Sequence, residues 1–444
     1  MNRELLSLAL IAALLPATGR AQEPLSLAAA LERARVSNPD IKALRERASA
    51  AVSRAEATRK QRLPRVGIDL SAQRTDNAAA VFASRLNASE FGAQDFEIAR
   101  LNSPKALSHL GSSLFIEAPL DLAGRIGLAA DAQAAGQRAF AQNLREAEST
   151  LRYQVTEAYF GAVLARRALA AIEKAAEAAR SREEITTARF DEGVALQSDV
   201  LRVRARKRAR EADIAAQRAE LAVAEAMLAR LIGGVPDQGF ELTDAATPTT
   251  SEETLDAWRN RAETSRPTLR AAAEQQTAAG LARQLEDKSR WPEVSAQARL
   301  TDDRISFSSG GQSWAVGAML RWNLFDATRD KRRAAAEADE RASAFDTLAA
   351  RDRVRFEVDA AFRRLTAARA RLSAAEGGAA DGREALRVIQ ERRAQGLATL
   401  TDELETEAAA FAAELEEINA ARAAVLAEAA LERAAGLTFG SPIQ

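Results

Sequence analysis

The 444-residue chain contains no cysteine and a single histidine, His109. Without cysteine there is no disulfide framework, no thiolate-bound zinc and no iron–sulfur cluster. One histidine argues against histidine-rich metal sites and against a His-based catalytic apparatus in both halves of the chain. An excess of one charge is also missing. The 62 Lys+Arg are balanced by 63 Asp+Glu, whereas nucleic-acid proteins usually carry a clear basic surplus. Aromatic residues make up only 5% of the chain. Beyond residue 21 no apolar run reaches the roughly 18 residues of a membrane-spanning helix. No Walker A, Gly-x-Ser-x-Gly or His-Glu-x-x-His pattern occurs, so no cofactor is expected and an enzyme is the least supported class. Ser308-Ser309-Gly310-Gly311 is read as a loop between strands, since no helix start follows it. What remains is a chain dominated by alanine, arginine, glutamate and leucine, a composition that favours long helices and coiled coils.

Residues 1–21 read as a secretory signal: Arg3 is the positive end, Leu5 to Leu15 the apolar stretch, and Gly19-Arg20-Ala21 the small-residue cleavage region. A buried N-terminal helix is the alternative. No cysteine follows that could carry a lipid anchor. An exported chain without an apolar helix is either soluble or inserted as a β-barrel.

The chain repeats itself. Asn38-Pro39-Asp40-Ile41 aligns with Arg266-Pro267-Thr268-Leu269, and Leu63-Pro64-Arg65-Val66 with Trp291-Pro292-Glu293-Val294, both at a spacing of 228. Further on, Pro119-Leu120-Asp121-Leu122 matches Asn323-Leu324-Phe325-Asp326 at 204, and Gly193 and Asp199 match Gly396 and Asp402 at 203. The spacing shrinks once because the first copy carries about 24 extra residues between Val66 and Pro119. Expected boundaries are 22–232 and 258–436 for the copies, 233–257 for a linker and 437–444 for a tail.

Each copy holds one long coiled-coil stretch. Leu151, Val155, Ala158, Ala162, Ala165, Leu169, Ile172, Ala176 and Ala179 follow alternating steps of four and three. Val354, Val358, Ala361, Leu365, Ala368, Leu372, Ala375 and Ala379 do the same. Leu122 to Arg189 spans about 100 Å if wholly helical. Two shorter helices, Pro39 to Arg62 and Gln197 to Ile232, match that length when stacked, and the second copy repeats the arrangement. Gly377, Gly378 and Gly382 interrupt the second long helix and mark either a bend or plain tolerance.

Four segments alternate apolar and polar residues: 65–73, 111–120, 293–301 and 313–323. Each is about as long as a tilted membrane strand, and Trp291, Trp314 and Trp322 sit at strand ends, where interfacial aromatics lie. Four strands cannot close a barrel, so several chains must contribute.

With these landmarks the sequence resembles the outer-membrane efflux (TolC-like) family. The resemblance rests on the helix starts at Pro39 and Pro267, Leu63-Pro64 and Trp291-Pro292 before strands, and Pro119-Leu120-Asp121 and Leu324-Phe325-Asp326 after them. The tip segments Arg189-Phe190-Asp191-Glu192-Gly193 and Arg393-Ala394-Gln395-Gly396 add to it, as do Asp95-Phe96 and Leu101-Asn102-Ser103-Pro104 in the long first loop. The order of motifs, in duplicate, carries the likeness, and it covers nearly the whole chain after residue 21. The second copy departs from the pattern at Ala327-Thr328, where a glycine is usual.

The resemblance implies a mainly α protein in the outer membrane with a long periplasmic extension. It implies a homotrimer with a helical barrel of antiparallel coiled coils and a 12-stranded β-barrel in outer-membrane lipid. Such a duct is passive, and its tip docks a periplasmic adaptor and an inner-membrane pump of RND or ABC type. The resemblance also puts acidic rings near Asp402 and Glu405, a carboxylate gate; capping of the helix start is the alternative. Around them, Gly193, Asp199, Arg202, Arg204, Gly396, Glu403 and Glu407 are expected to form the tip latch and docking surface. The 203 spacing sets Arg202 opposite Glu405 and Arg204 opposite Glu407, with a merely solvated face as the alternative. His109 is expected on the surface of the first loop, and Lys331-Arg332-Arg333 in solvent or at lipid head groups. A soluble periplasmic adaptor or structural coiled coil is the competing reading; it leaves the strands and tryptophans unexplained. The cargo is not legible.

Overall fold

The computed structural model describes residues 24–234, 240–243, 253–306 and 310–439. The expected signal segment 1–21, most of the linker, Ser308-Ser309 and the end of the tail lie outside the described residues. The chain divides into two compact units. One, the tip-bearing unit, comprises the described part of Met1–Pro39, Glu148–Leu255 and the described part of Asp359–Gln444. The other, the strand-bearing unit, comprises Asp40–Ala147 and Asp256–Val358.

The strand-bearing unit is organised by four strands, β2 (Arg65–Thr75), β3 (Leu107–Leu120), β5 (Glu293–Arg304) and β6 (Gly311–Arg321), in one antiparallel sheet of order β2-β3-β5-β6. The register explains why the alternation in the sequence is so clean. Val66 faces Ile116, which faces Ala298, which faces Val316. One residue pair along, Ile68, Leu114, Leu300 and Trp314 form the next row. Most of the apolar positions therefore share one face, and that face is open: Leu70 is 79% and Trp314 78% exposed. The other face carries charge in matched pairs. Arg65 bonds Glu117 at 2.7 Å, and Arg299 reaches Asp69 at 3.1 Å while lying over the Phe115 ring. His109 is in β3, not in a loop: the strand begins four residues before the expected Gly111 and brings His109 Nε2 to 2.8 Å from Asp303.

The extra residues of the first copy fold between β2 and β3 as α3 (Ala78–Asn87), a 3₁₀ turn (Ala93–Phe96) and α4 (Ile98–Asn102). Phe82, Phe91 and Phe96 stack edge to face, and Ser306 donates to Glu90 at 2.9 Å. Gly311 is needed here, because a Cβ would sit 1.8 Å from the Asn87 carbonyl oxygen.

The helices follow the expected pattern. They are α2 (Pro39–Lys60), α5 (Arg125–Asp191), α6 (Gln197–Ile232), α8 (Pro267–Asp287), α9 (Arg329–Ala394) and α10 (Leu400–Ala434), with shorter α1 (Leu27–Ser37) and α7 (Leu255–Ser265). Every seam position read from the heptads is buried or half-buried. The seam widens around Tyr159, Phe160, Val163 and Leu164. There the two-residue strands β1 (Pro24–Leu25) and β4 (Glu241–Leu242) pair in parallel, and the fully buried Tyr159 hydroxyl donates to Leu25 O at 2.8 Å. α9 runs unbroken through its glycines. Gly377 and Gly378 face open space, whereas a Cβ on Gly382 would lie 3.1 Å from the Ala410 Cα, so Gly382 is where α9 closes onto α10.

The copies differ where charge replaces neutrality. Asn38 donates its side-chain amide to Leu231 O at 3.0 Å within the tip-bearing unit. Its repeat equivalent Arg266 is 4% exposed in the strand-bearing unit, with Glu357 at 2.9 Å and Glu146 at 3.1 Å. Lys331-Arg332-Arg333 opens α9, where Arg332 pairs with Asp326 and Arg333 with Asp287.

Candidate functional site

The helix tips are built by two glycines. Gly193 and Gly396 both adopt φ +77°, the left-handed conformation that ends a helix and that glycine takes without steric cost. The helices that restart after them begin differently. α10 opens with a capping box, in which Thr399 Oγ1 accepts from the Asp402 N–H and Asp402 accepts from the Thr399 N–H and hydroxyl. In α6 the equivalent of Thr399 is Leu196, which offers no side-chain cap, and Asp199 occupies the first turn without that partner.

Asp402 and Glu405 are both exposed on one side of α10. The Thr399 hydroxyl and N–H hold the Asp402 carboxyl below its ordinary value, so it is charged at neutral pH. Glu405 has no hydrogen bond or ion pair among the described residues. The capping role is thus realised for Asp402, and Glu405 is left free.

Glu403 and Glu407 point the other way and are buried. Arg182 of α5 reaches both, bonding Glu403 at 2.8 Å and also Glu407, and Arg393 stands 2.8 Å from Glu403. Two guanidiniums thereby neutralise two carboxylates whose side chains are 8% and 9% exposed. Sequence reasoning missed Arg182 because nothing in the spacing of the tip points to a residue 221 positions before Glu403.

The expected pairings are corrected within the chain. Arg202 donates to Thr401 Oγ1 at 2.7 Å rather than meeting Glu405, and Arg204 bonds Glu183 at 3.2 Å rather than Glu407. Glu183 also takes Lys207 at 2.9 Å, and these two cations lower its pKa, Lys207 more. The reason is geometric. The hydrogen bonds between α6 and α10 at the tip join residues 198 and 199 apart, Arg206 to Leu404 O and Arg202 to Thr401. That is about one helical turn short of the repeat spacing, so equivalent residues do not lie side by side. Deeper in, Arg210 stacks 3.8 Å over the Phe411 ring, and burial, with Arg210 and Arg182 nearby, lowers the Arg206 pKa.

Trp291 and Trp322 lie at the helix end of the sheet and Trp314 at its loop end, all more than half exposed. The Trp322 Nε1–H donates to Arg290 O at 3.0 Å. No helix among the described residues is long and apolar enough to cross a membrane.

The sequence pattern of the family described as outer membrane efflux protein matches residues 30–234 and 258–437. The chain belongs to this family. The match is interrupted at residues 235–257. Outer membrane efflux protein BepC of Brucella suis biovar 1 (strain 1330) is 26% identical over 283 residues, which cover 63% of this chain and 61% of BepC. A membrane protein from Pseudomonas aeruginosa shares the fold with a TM-score of 0.77 at 19% identity, over 95% of this chain and 98% of that one. The CmeC outer membrane channel of Campylobacter jejuni does so with a TM-score of 0.78 at 15% identity, over 94% and 87%. This outer membrane efflux protein accordingly resides in the bacterial outer membrane, in a family of efflux components rather than enzymes.

Proposed function

We propose that the protein is the passive exit duct of a tripartite efflux or type I secretion system, with three copies closing their strands into one 12-stranded barrel. The observation that carries the reading is the sheet: one face largely apolar and exposed, the other paired in charge, and the outer edges of β2 and β6 without a strand partner among the described residues. An exposed strand edge invites another strand, and a four-stranded sheet is too small to close alone. The helices continue as a periplasmic tunnel. Its tips, with Val194, Leu196 and Leu397 each about 70% exposed beside Gly193 and Gly396, offer apolar contact to a periplasmic adaptor and through it to an RND or ABC pump. Asp402 and Glu405 form the acidic ring at the constriction. The latch is the Arg182–Glu403–Glu407 cluster, with Asp199, Arg202 and Arg204 at the surface that the adaptor displaces.

The test is conductance in a planar bilayer, wild type beside Asp402→Ala/Glu405→Ala. Small cation-selective steps that enlarge and lose divalent block in the variant are expected. Steps unchanged by the variant would move the gate elsewhere, and a protein that needs no detergent and yields no steps would refute the duct.

A further inference from the structure

A cavity of about 570 Å³ opens in the strand-bearing unit, lined by the last residues of β3 and β6, the first of β5, the turn after β3 and the first turns of α5. That volume is typical of small-molecule sites. Its apolar lining includes Ile126 and Leu285, and Met319 on the same face of the sheet as Arg321. Its three carboxylates are already engaged. Glu117 pairs with Arg65, Glu293 pairs with Arg125 at 2.5 Å, and Asp121 accepts from the Ile126 and Gly127 N–H groups at 3.1 and 2.9 Å.

The repeat shows what is unusual here. Arg65 faces Glu117 across β2 and β3, and the two bond. Their repeat equivalents, Glu293 and Arg321, face each other across β5 and β6 with the charges exchanged. A complementary pair is thus available a second time, yet it does not form. Glu293 turns to Arg125 instead, and Arg321 lines the cavity with no ion pair or hydrogen bond among the described residues. The Arg125 Nε, also at this wall, is buried without an acceptor. Unused guanidinium donors beside apolar side chains, with every nearby carboxylate already engaged by another donor, match a ligand with one anionic head and an apolar body.

We propose that this cavity binds amphiphilic organic anions, carboxylates or sulfonates on an aliphatic or aryl body. Arg321 holds the head, and the tail lies along Ile126, Leu285 and Met319. This rests on the duct reading, in which the polar face of the sheet lines the passage, and it gives that passage a station selective for one class of cargo.

The probe is octanoate, compared with octylammonium and octanamide on the full-length protein in planar bilayers. Octanoate should interrupt the current in a concentration-dependent way while the other two do not. Arg321→Gln should raise the half-blocking concentration about ten-fold or more. Arg62→Gln, an exposed residue outside the cavity, should leave it unchanged. Open steps without octanoate block, equal block by octylammonium, or block unaltered by Arg321→Gln would overturn the site while leaving the duct intact. Calorimetry of octanoate binding to the protein in lipid nanodiscs decides the site without conductance. Heat lost in Arg321→Gln is expected, whereas equal heats, or a cavity already filled by a neighbouring copy and giving none, would refute it.

Discussion

Arg182→Gln is the sharpest perturbation of the tip. The guanidinium is 17% exposed and its two carboxylate partners 8% and 9%, so the substitution leaves buried charge behind rather than merely removing a contact. Breaking a buried pair by deleting one partner costs about 3–5 kcal/mol. Arg393 remains 2.8 Å from Glu403 and offsets part of this, which sets the expectation at the low end, about 3 kcal/mol. Local opening of the first turns of α10 should then become about a hundred-fold more frequent. Hydrogen exchange read by mass spectrometry on peptides covering residues 400–411 measures this directly. A control separates charge from packing. Arg182→Met combined with Glu407→Leu removes one charge of each sign, keeps Arg393 on Glu403, and should return exchange close to wild type, because replacing a buried ion pair by apolar groups is often near neutral. Exchange within about three-fold of wild type in Arg182→Gln would refute the claim that this cluster holds the tip.

Gly382 and its neighbours should respond in opposite directions. Gly377→Ala and Gly378→Ala face open space and should each stabilise the helix by about 1 kcal/mol, read as a higher melting temperature. Gly382→Val should lower it, since its Cβ meets the backbone of Ala410 at 3.1 Å. The cap of α10 should be sensitive to acid. The Asp402 carboxyl titrates below its ordinary value in the folded chain, so its contribution is fully present above about pH 4 and is lost as pH falls through the lowered folded value. Thr399→Ala should move that loss toward higher pH, measured by the pH dependence of exchange in the first turn of α10; an unchanged profile would mean that the hydroxyl does not hold the carboxylate.

Much of the architecture is written in periodicity. The two long helices appear as heptads because their seam is buried along its length, and the strands appear as alternation because a single face of the sheet is apolar. The glycines at 193 and 396 mark the tips because the left-handed turn leaves little choice of residue. Features without a period were not legible. β1 and β4 are two residues each, and Tyr159 joins them through one hydroxyl. His109 looked like loop because Leu107 to Gly111 is weakly alternating, although pairing with β2 and β5 draws it into a strand. At the tip the charged residue types were recognised but not their partners. The repeat spacing identifies equivalent positions, whereas contact depends on the axial slip between α6 and α10. At Asp402 the capping alternative is realised, through the reciprocal bonds with Thr399.

The register of the sheet also governs where this chain tolerates change in length. Because side chains alternate, one residue added inside β3 would turn every position beyond it to the opposite face, setting leucines against the charged pairs. The copies have nevertheless diverged by about 24 residues, and that difference lies between Thr75 and Leu107, the last paired positions of β2 and β3. There the added chain folds on its own phenylalanines and alters no parity. Evolution of this protein is therefore constrained to grow at the turns. Domains or epitopes grafted at this turn should inherit the same freedom, while single-residue insertions within the strands should be purged.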